Sequence, residues 1–184
     1  MTTAETRDPA ALAPYLDMFP EWLRTLGEDA GALGGVVTAD GHDEVKRYVT
    51  SGLNYIFKSL DLIPDGIDDL GFCDDAFVIR VAASLAVEAE PAAANGIVGR
   101  LAGDAKAVEE FLGDDYPRLV EYVKGLRKGA ARGRTVEDIM TDASIRTSFV
   151  HEVSAWSKEY QVPSFTRDVK TLIKLKAFLS AKLA

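Results

Sequence analysis

The sequence predicts an all-α protein, a compact bundle of seven to nine helices with an aspartate-rich turn between two of them. Three observations carry that expectation. Apolar residues return at three- and four-residue spacing through nearly the whole chain. No segment shows the apolar–polar alternation of a half-buried strand. Glycine, proline and aspartate interrupt the apolar stretches at intervals that suit helix ends.

A first helix is expected from Ala10 to Gly27, where Leu12, Tyr15, Leu16, Phe19, Trp22, Leu23 and Leu26 share a face. Pro14 falls near its start, and Pro20 is a place for it to kink or split. Gly31-Ala32-Leu33-Gly34-Gly35 reads as a breaker. The next helix spans about Asp43 to Leu60, with Val45, Tyr48, Val49, Leu53, Ile56, Phe57 and Leu60 inward and Asp40 or Asp43 as its cap. After the aspartate-rich turn, Asp74 or Asp75 opens a third helix with Phe77, Val78, Val81, Ala82 and Leu85 on one face. Pro91 marks its end or a kink. The Ala- and Gly-rich stretch 92–112 holds one or two short helices. Tyr116 to Leu126 adds another, with Leu119, Val120, Val123 and Leu126. Thr135-Val136-Glu137-Asp138 resembles a capping box with Asp in place of Glu, followed by Val136, Ile139, Met140 and Ala143. Phe149, Val153, Trp156 and Tyr160 line a further helix that Pro163 ends. Phe165, Val169, Leu172, Leu179 and Leu183 carry the last one, with Lys170, Lys174 and Lys182 outward. Residues 1–128 are read as a helical domain, and 129–184 as a helical extension packed on it in one globular unit.

A chain of 184 residues, 47% apolar and 27% charged, is ordinary globular material. It is long enough to bury about 70% of its unfolded surface, so its stability is expected to require no disulfide or metal. The single cysteine, Cys73, excludes an internal disulfide and any multi-cysteine metal site. The first residues show no basic stretch followed by an apolar run, so no secretory signal is expected. The apolar run from Ala76 to Val87 is too short to cross a bilayer and contains Arg80. A soluble, cytoplasmic protein is the expectation. The net charge of −8 is unevenly spread. Residues 1–115 carry 22 acidic and 8 basic side chains, whereas the remainder carries 7 acidic and 13 basic ones. The acidic part disfavours nucleic acid, whose phosphates need a positive field. The basic part fits an acidic partner or the acidic half of its own chain. Its densest stretch is Lys124, Arg127, Lys128, Arg132 and Arg134, interrupted by three glycines. That stretch reads either as a solvated linker or as a surface for a protein partner.

The most specific feature is the segment from Asp61 to Asp75, in which six of fifteen residues are aspartate. No Lys or Arg lies between Lys58 and Arg80 to neutralise them. Leu62, Ile63, Ile67, Leu70 and Phe72 are woven through the segment, so it folds rather than trailing in solvent. Pro64 ends a helix, Asp65-Gly66 suits a turn, and carboxylates at a helix N-terminus are stabilised by its dipole. One reading therefore turns every carboxylate onto a nearby backbone N–H as a cap. The other brings Asp61, Asp65, Asp74 and Asp75 together on a divalent cation, Mg2+ or Ca2+, for which carboxylate oxygens are suitable donors. A like-charge cluster without a metal raises a carboxyl pKa and permits acid–base chemistry.

Tyr55, Ser59, Asp61-Leu62-Ile63-Pro64-Asp65, Gly71 and Asp74-Asp75 together resemble the core motif of the YkvA-like bacterial domain of unknown function. The resemblance covers about 40 residues, from Lys46 to Val87. It implies a compact helical hairpin and no agreed activity. Leu60 stands where that motif usually has proline, and Asp68 where a second proline is common. Arg80 and Glu88 interrupt the helix that is more apolar in many such domains, which argues against membrane attachment here.

The remaining candidates are bland. His42 and His151 have no metal-ligand spacing. His42 reads as a loop or cap residue, His151 as a helix-surface residue, and Cys73 as a buried thiol. Trp22 and Trp156 read as core, and no phosphate loop or nucleophile elbow occurs. The expected function is a non-catalytic interaction or regulatory protein. The alternatives are a divalent-metal-binding protein or metal-dependent enzyme that uses the aspartates, and a peripheral membrane protein.

Overall fold

The computed structural model of the protein describes residues 9–59 and 61–184. Leu60, expected on a helix face, and the stretch read for a secretory signal up to Asp8 lie outside the described residues. Within them are nine α-helices: α1 (Pro9–Leu12), α2 (Tyr15–Thr38), α3 (Asp43–Ile56), α4 (Cys73–Ala89), α5 (Gly96–Leu112), α6 (Tyr116–Gly125), α7 (Val136–Thr141), α8 (Ala143–Glu159) and α9 (Val169–Leu183). Short 3-10 turns occur at Pro91–Ala93, Gly113–Asp115 and Leu126–Lys128. The all-α expectation holds, with one small addition, the hairpin of β1 (Ala130–Ala131) and β2 (Arg134–Thr135).

The first helix departs from expectation in an instructive way. Pro20 does not split α2, and Gly31 to Gly35 do not end it; α2 continues to Thr38. Gly31 and Gly34 serve contact, not termination. A Cβ at Gly31 would lie 2.8 Å from Ser157 Oγ, and one at Gly34 would lie 3.4 Å from Val153 Cγ1. The bare backbone of α2 therefore admits α8 at close range, and Ser157 Oγ donates to Gly27 O at 2.5 Å. Glycine costs about 1 kcal/mol against alanine in a helix interior, and the tight α2–α8 packing offsets that cost here.

Helix α4 is the centre of the bundle and packs against α2, α3, α5 and α6. Every residue from Cys73 to Ala83 is buried, so the expected single apolar face becomes a helix enclosed on all sides. Arg80 is enclosed with it and is partnered except at NH2, which makes no hydrogen bond. Its guanidinium lies 4.1 Å from the Trp22 ring centroid. Its Nε donates to Asp104 at 3.1 Å and its NH1 to Ala76 O at 3.0 Å. Asp29 stands 3.8 Å from its NH2 and is also paired with Arg100. Burial lowers the Arg80 pKa to about 10, and Asp104 and Asp29 oppose the shift.

The expected linker at Lys124–Arg134 is folded. It forms the end of α6, a 3-10 turn and the hairpin, with Ala130 opposite Thr135 and Ala131 opposite Arg134. The two turn residues, Arg132 and Gly133, both have positive φ (50° and 77°), as a two-residue primed turn requires. Thr135 then caps α7 in a reciprocal box. Asp138 N donates to Thr135 Oγ1 at 3.1 Å, and Thr135 N donates to Asp138 Oδ2 at 2.9 Å.

Candidate functional site

The turn between α3 and α4 is held from three directions. Leu62, Ile63 and Leu70 are buried anchors. Tyr55, on the last turn of α3, donates its hydroxyl proton to Asp74 Oδ2, and the same hydroxyl oxygen accepts from Leu62 N at 2.8 Å. Asp74 Oδ2 also accepts from Ile63 N at 3.2 Å. The backbone then doubles back so tightly that a Cβ at Gly71 would collide with the carbonyl oxygen of Asp65. Only glycine fits there.

This clasp brings Asp61 to the first turn of α4, where Asp74 and Asp75 are each 1% exposed. One carboxylate oxygen from each of Asp61, Asp74 and Asp75 lies within 4.8 Å of the other two. Each also has a buried oxygen with no hydrogen-bond partner: Asp61 Oδ1, Asp74 Oδ1 and Asp75 Oδ2. The capping expectation is corrected by these contacts. The residue before α4 is Phe72 in a left-handed conformation (φ 64°), with no side-chain cap. Asp74 faces Tyr55 and Ile63 rather than the N–H groups of its own helix. Asp65, the fourth expected ligand, is exposed on the turn and does not join the trio.

The electrostatics follow from burial without a counter-charge. Burial pushes the Asp61 carboxyl up to about 7, with Asp74 and Asp65 adding repulsion and Lys58 opposing it. Burial also raises Asp74 to about 6, against the hydrogen bonds from Tyr55 and Ile63. Asp75 is raised well above the ordinary carboxylate value by burial and then by Asp74. Without an ion, protons stand in for the missing positive charge. Tyr55 is held protonated by burial and by both aspartates. Burial likewise raises the Cys73 thiol, in line with its reading as a buried side chain.

The donor set suits a hard divalent cation. Ligand oxygens around a single ion at 2.0–2.6 Å lie no more than about 4–5 Å apart, and the trio meets that limit. The set contains neither sulfur nor nitrogen, which favours Mg2+, Ca2+ or Mn2+ over zinc or copper. A small cleft between Tyr55, Lys58 and the hairpin has a volume of about 10 Å3, room for one water, and none of the three aspartates lines it. The neighbouring cation, Lys58, gives its Nζ to Tyr122 Oη at 3.2 Å. The same carboxylates and burial raise Tyr122 to about 12. Sequence reasoning missed Tyr55, Lys58 and Tyr122 as parts of this site. Tyr55 was visible as a motif residue, but its bond to Asp74 spans 19 positions.

Four of the five cations expected at a partner surface are bonded within the chain. Lys124 pairs with Glu121 at 3.3 Å on its own helix. Arg127 makes two bonds to Glu44, at 2.8 and 3.1 Å, beside the Tyr48 ring. Arg132 lies 3.8 Å from Glu152 and 4.6 Å from the Phe57 centroid. Arg134 is almost fully buried, bonded to Glu152 and set over Phe57 and Phe149. Lys128 is exposed. The basic stretch docks on the chain's own acidic groups. His42 precedes α3 with its Nε2 3.1 Å from Glu90, and His151 is exposed on α8. No helix of the described residues is long and apolar enough to cross a membrane. No family model, curated protein or solved structure matches this chain.

Proposed function

We propose that this protein binds a hard divalent cation at Asp61, Asp74 and Asp75, and that the ion serves a regulatory rather than a catalytic role. One observation carries the reading: three carboxylates, two buried and one half-buried, converge, each with a buried oxygen that lacks a partner. Burying unpaired charge is costly, and a metal supplies the missing partner. The regulatory half of the reading rests on burial, since Asp74 and Asp75 are each 1% exposed and so placed to hold an ion within the fold. The stretch that resembles the YkvA-like motif supplies Tyr55, Asp61, Asp74 and Asp75, which supports reading that motif as a ligand cradle rather than as helix punctuation. A cytoplasmic protein, with its buried free thiol, agrees with this role.

Isothermal calorimetry on metal-stripped protein with Mg2+, Ca2+ and Mn2+ tests it. One site per chain is expected, with proton release on binding at pH 7, because ligands must shed their protons to coordinate. Absence of binding heat with all three ions at millimolar concentration defeats the proposal.

A further inference from the structure

We infer that ion occupancy at this site controls how firmly the strap of residues 160–168 is held against the body of the protein. The inference rests on the metal reading above and names the regulation of that same site.

Two non-glycine residues of the α3–α4 turn have left-handed backbones, Asp69 and Phe72, both with φ 64°. The same two residues hold the C-terminal strap. Asp69 Oδ1 accepts from Thr166 N at 2.7 Å and from Thr166 Oγ1 at 3.0 Å. Asp69 N donates to Ser164 Oγ at 3.4 Å. The Phe72 ring lies 5.4 Å from Tyr160 and 6.2 Å from Trp156, centroid to centroid. A left-handed conformation is unfavourable for residues with a Cβ and persists only where the surroundings impose it. Here the imposing contacts are the Tyr55–Leu62 and Asp74–Ile63 bonds at one end of the turn and the start of α4 at the other.

The candidate ligands sit at those two ends, Asp61 upstream and Asp74 and Asp75 downstream. A bound cation draws the ends together. Without it, the Asp74 contacts to Tyr55 and Ile63 are left to hold the turn on α4. Positions 69 and 72 lie between the two ends, so their strained geometry, and with it the strap's anchor, follows the state of the site. Beyond these bonds the strap is held by one apolar side chain, Phe165, packed against the core. It has no helix or strand, Val162 is 55% exposed, and Arg167 bonds the exposed Asp17. Tyr160 Oη donates to Leu23 O at the strap's start, and Leu172, Leu175 and Leu179 anchor α9 beyond it. The segment between them is the part free to respond.

Hydrogen exchange on the full-length protein, with EDTA and then with saturating Mn2+, Mg2+ or Ca2+, tests this, with calorimetry run in parallel. Peptides covering 160–168 should exchange on the order of five-fold more slowly with the ion, the lower end of ordinary coupling. Asp69→Ala should still bind the ion but lose that protection, whereas Asp69→Asn, which keeps an acceptor and tolerates left-handed φ, should retain it. Thr166→Val, which leaves the turn untouched, should weaken the protection and guards against misfolding of Asp69→Ala. Reciprocity requires Asp69→Ala to weaken ion binding by the same factor as the lost protection. Binding heat with unchanged exchange at 160–168 overturns the inference and leaves the metal site standing. Absence of binding heat overturns both.

Discussion

Replacing Asp75 with asparagine should reverse the protein's response to metal, and the expected size follows from the structure. Asp75 is 1% exposed and faces two other carboxylates with oxygens within 4.8 Å. At that separation and an effective dielectric constant near 20, each like-charge pair costs about 3.5 kcal/mol when both members are ionised. Protonation relieves part of this, because Asp61 titrates at about 7 and Asp74 at about 6. At pH 8, in EDTA, Asp75→Asn should therefore stabilise the protein by roughly 2–4 kcal/mol. For a chain of this size that is about 5–15 °C in melting temperature. With an ion at about 100 times its dissociation constant, the unaltered protein should gain about 2.7 kcal/mol, and the variant little or nothing.

Thermal melts followed by circular dichroism, with EDTA and with 5 mM Mg2+, Ca2+ or Mn2+ (roughly saturating for a micromolar site), give the four numbers required. The variant should melt higher than the parent in EDTA, and only the parent should shift when metal is added. A variant that melts lower than the parent in EDTA would show that Asp75 is held by favourable contacts. A variant that keeps the full metal shift would show that the ion binds elsewhere. Either result refutes the reasoning.

The pH dependence of metal-free protein has an unusual sign. Asp61 and Asp74 have folded-state values above the ordinary carboxylate value, so the folded protein holds more protons than the unfolded chain between about pH 4 and 7. Their contribution is full below the unfolded value and is lost as pH rises through about 6 to 7. Melting temperature in EDTA should fall from pH 5 to pH 8; a rise across that window contradicts the assignment. Tyr55→Phe removes both the donor to Asp74 and the acceptor for Leu62 N, and should cost about 1–3 kcal/mol by urea unfolding as well as weakening metal binding. Arg80→Met leaves Asp104 without its bonded partner, and a loss of about 3–5 kcal/mol is expected from chemical denaturation with the metal heats unchanged.

Much of this arrangement was legible in the chain because its signals are local. Pro64, Gly66 and Gly71 marked the turn, the Thr135–Asp138 box marked the start of α7, and the apolar spacing of α3 named its inner face. What stayed hidden depended on distant partners. Gly31 to Gly35 look like a stop in isolation; Gly31 and Gly34 form a contact surface because Ser157 and Val153 lie against them, more than 110 positions away. By composition Asp65 equals Asp75, yet Asp65 is exposed and Asp75 buried. The difference comes from the enclosure of α4 by four neighbouring helices. Adjacent residues on an ordinary surface helix point about 100° apart, and both cannot face one core. On a helix buried all round they can, so Asp74 and Asp75 both turn inward. The basic stretch from Lys124 to Arg134 gave a net charge but not its destination, Glu44 and Glu152.

Helix α4 holds two charged clusters, and the contrast between them supports an external cation. Arg80 is buried with opposite charge supplied by the chain, from Asp104 and Asp29, beside the Ala76 carbonyl and the Trp22 face, although its NH2 makes no hydrogen bond. Five residues earlier, Asp75 and its two neighbours have no such complement. Lys58 lies on the Asp61 side, but its Nζ is bonded to Tyr122 Oη and its charge only partly offsets the upward shift of Asp61. Hydrophobic residues in these positions would satisfy the needs of a core better than carboxylates without a counter-ion. Proton sharing keeps the trio folded at low pH, and that solution weakens as the pH approaches neutrality. The proposed divalent ion would supply what Arg80 receives from protein, opposite charge at bonding distance, from three carboxylates with an oxygen each within 4.8 Å of the other two.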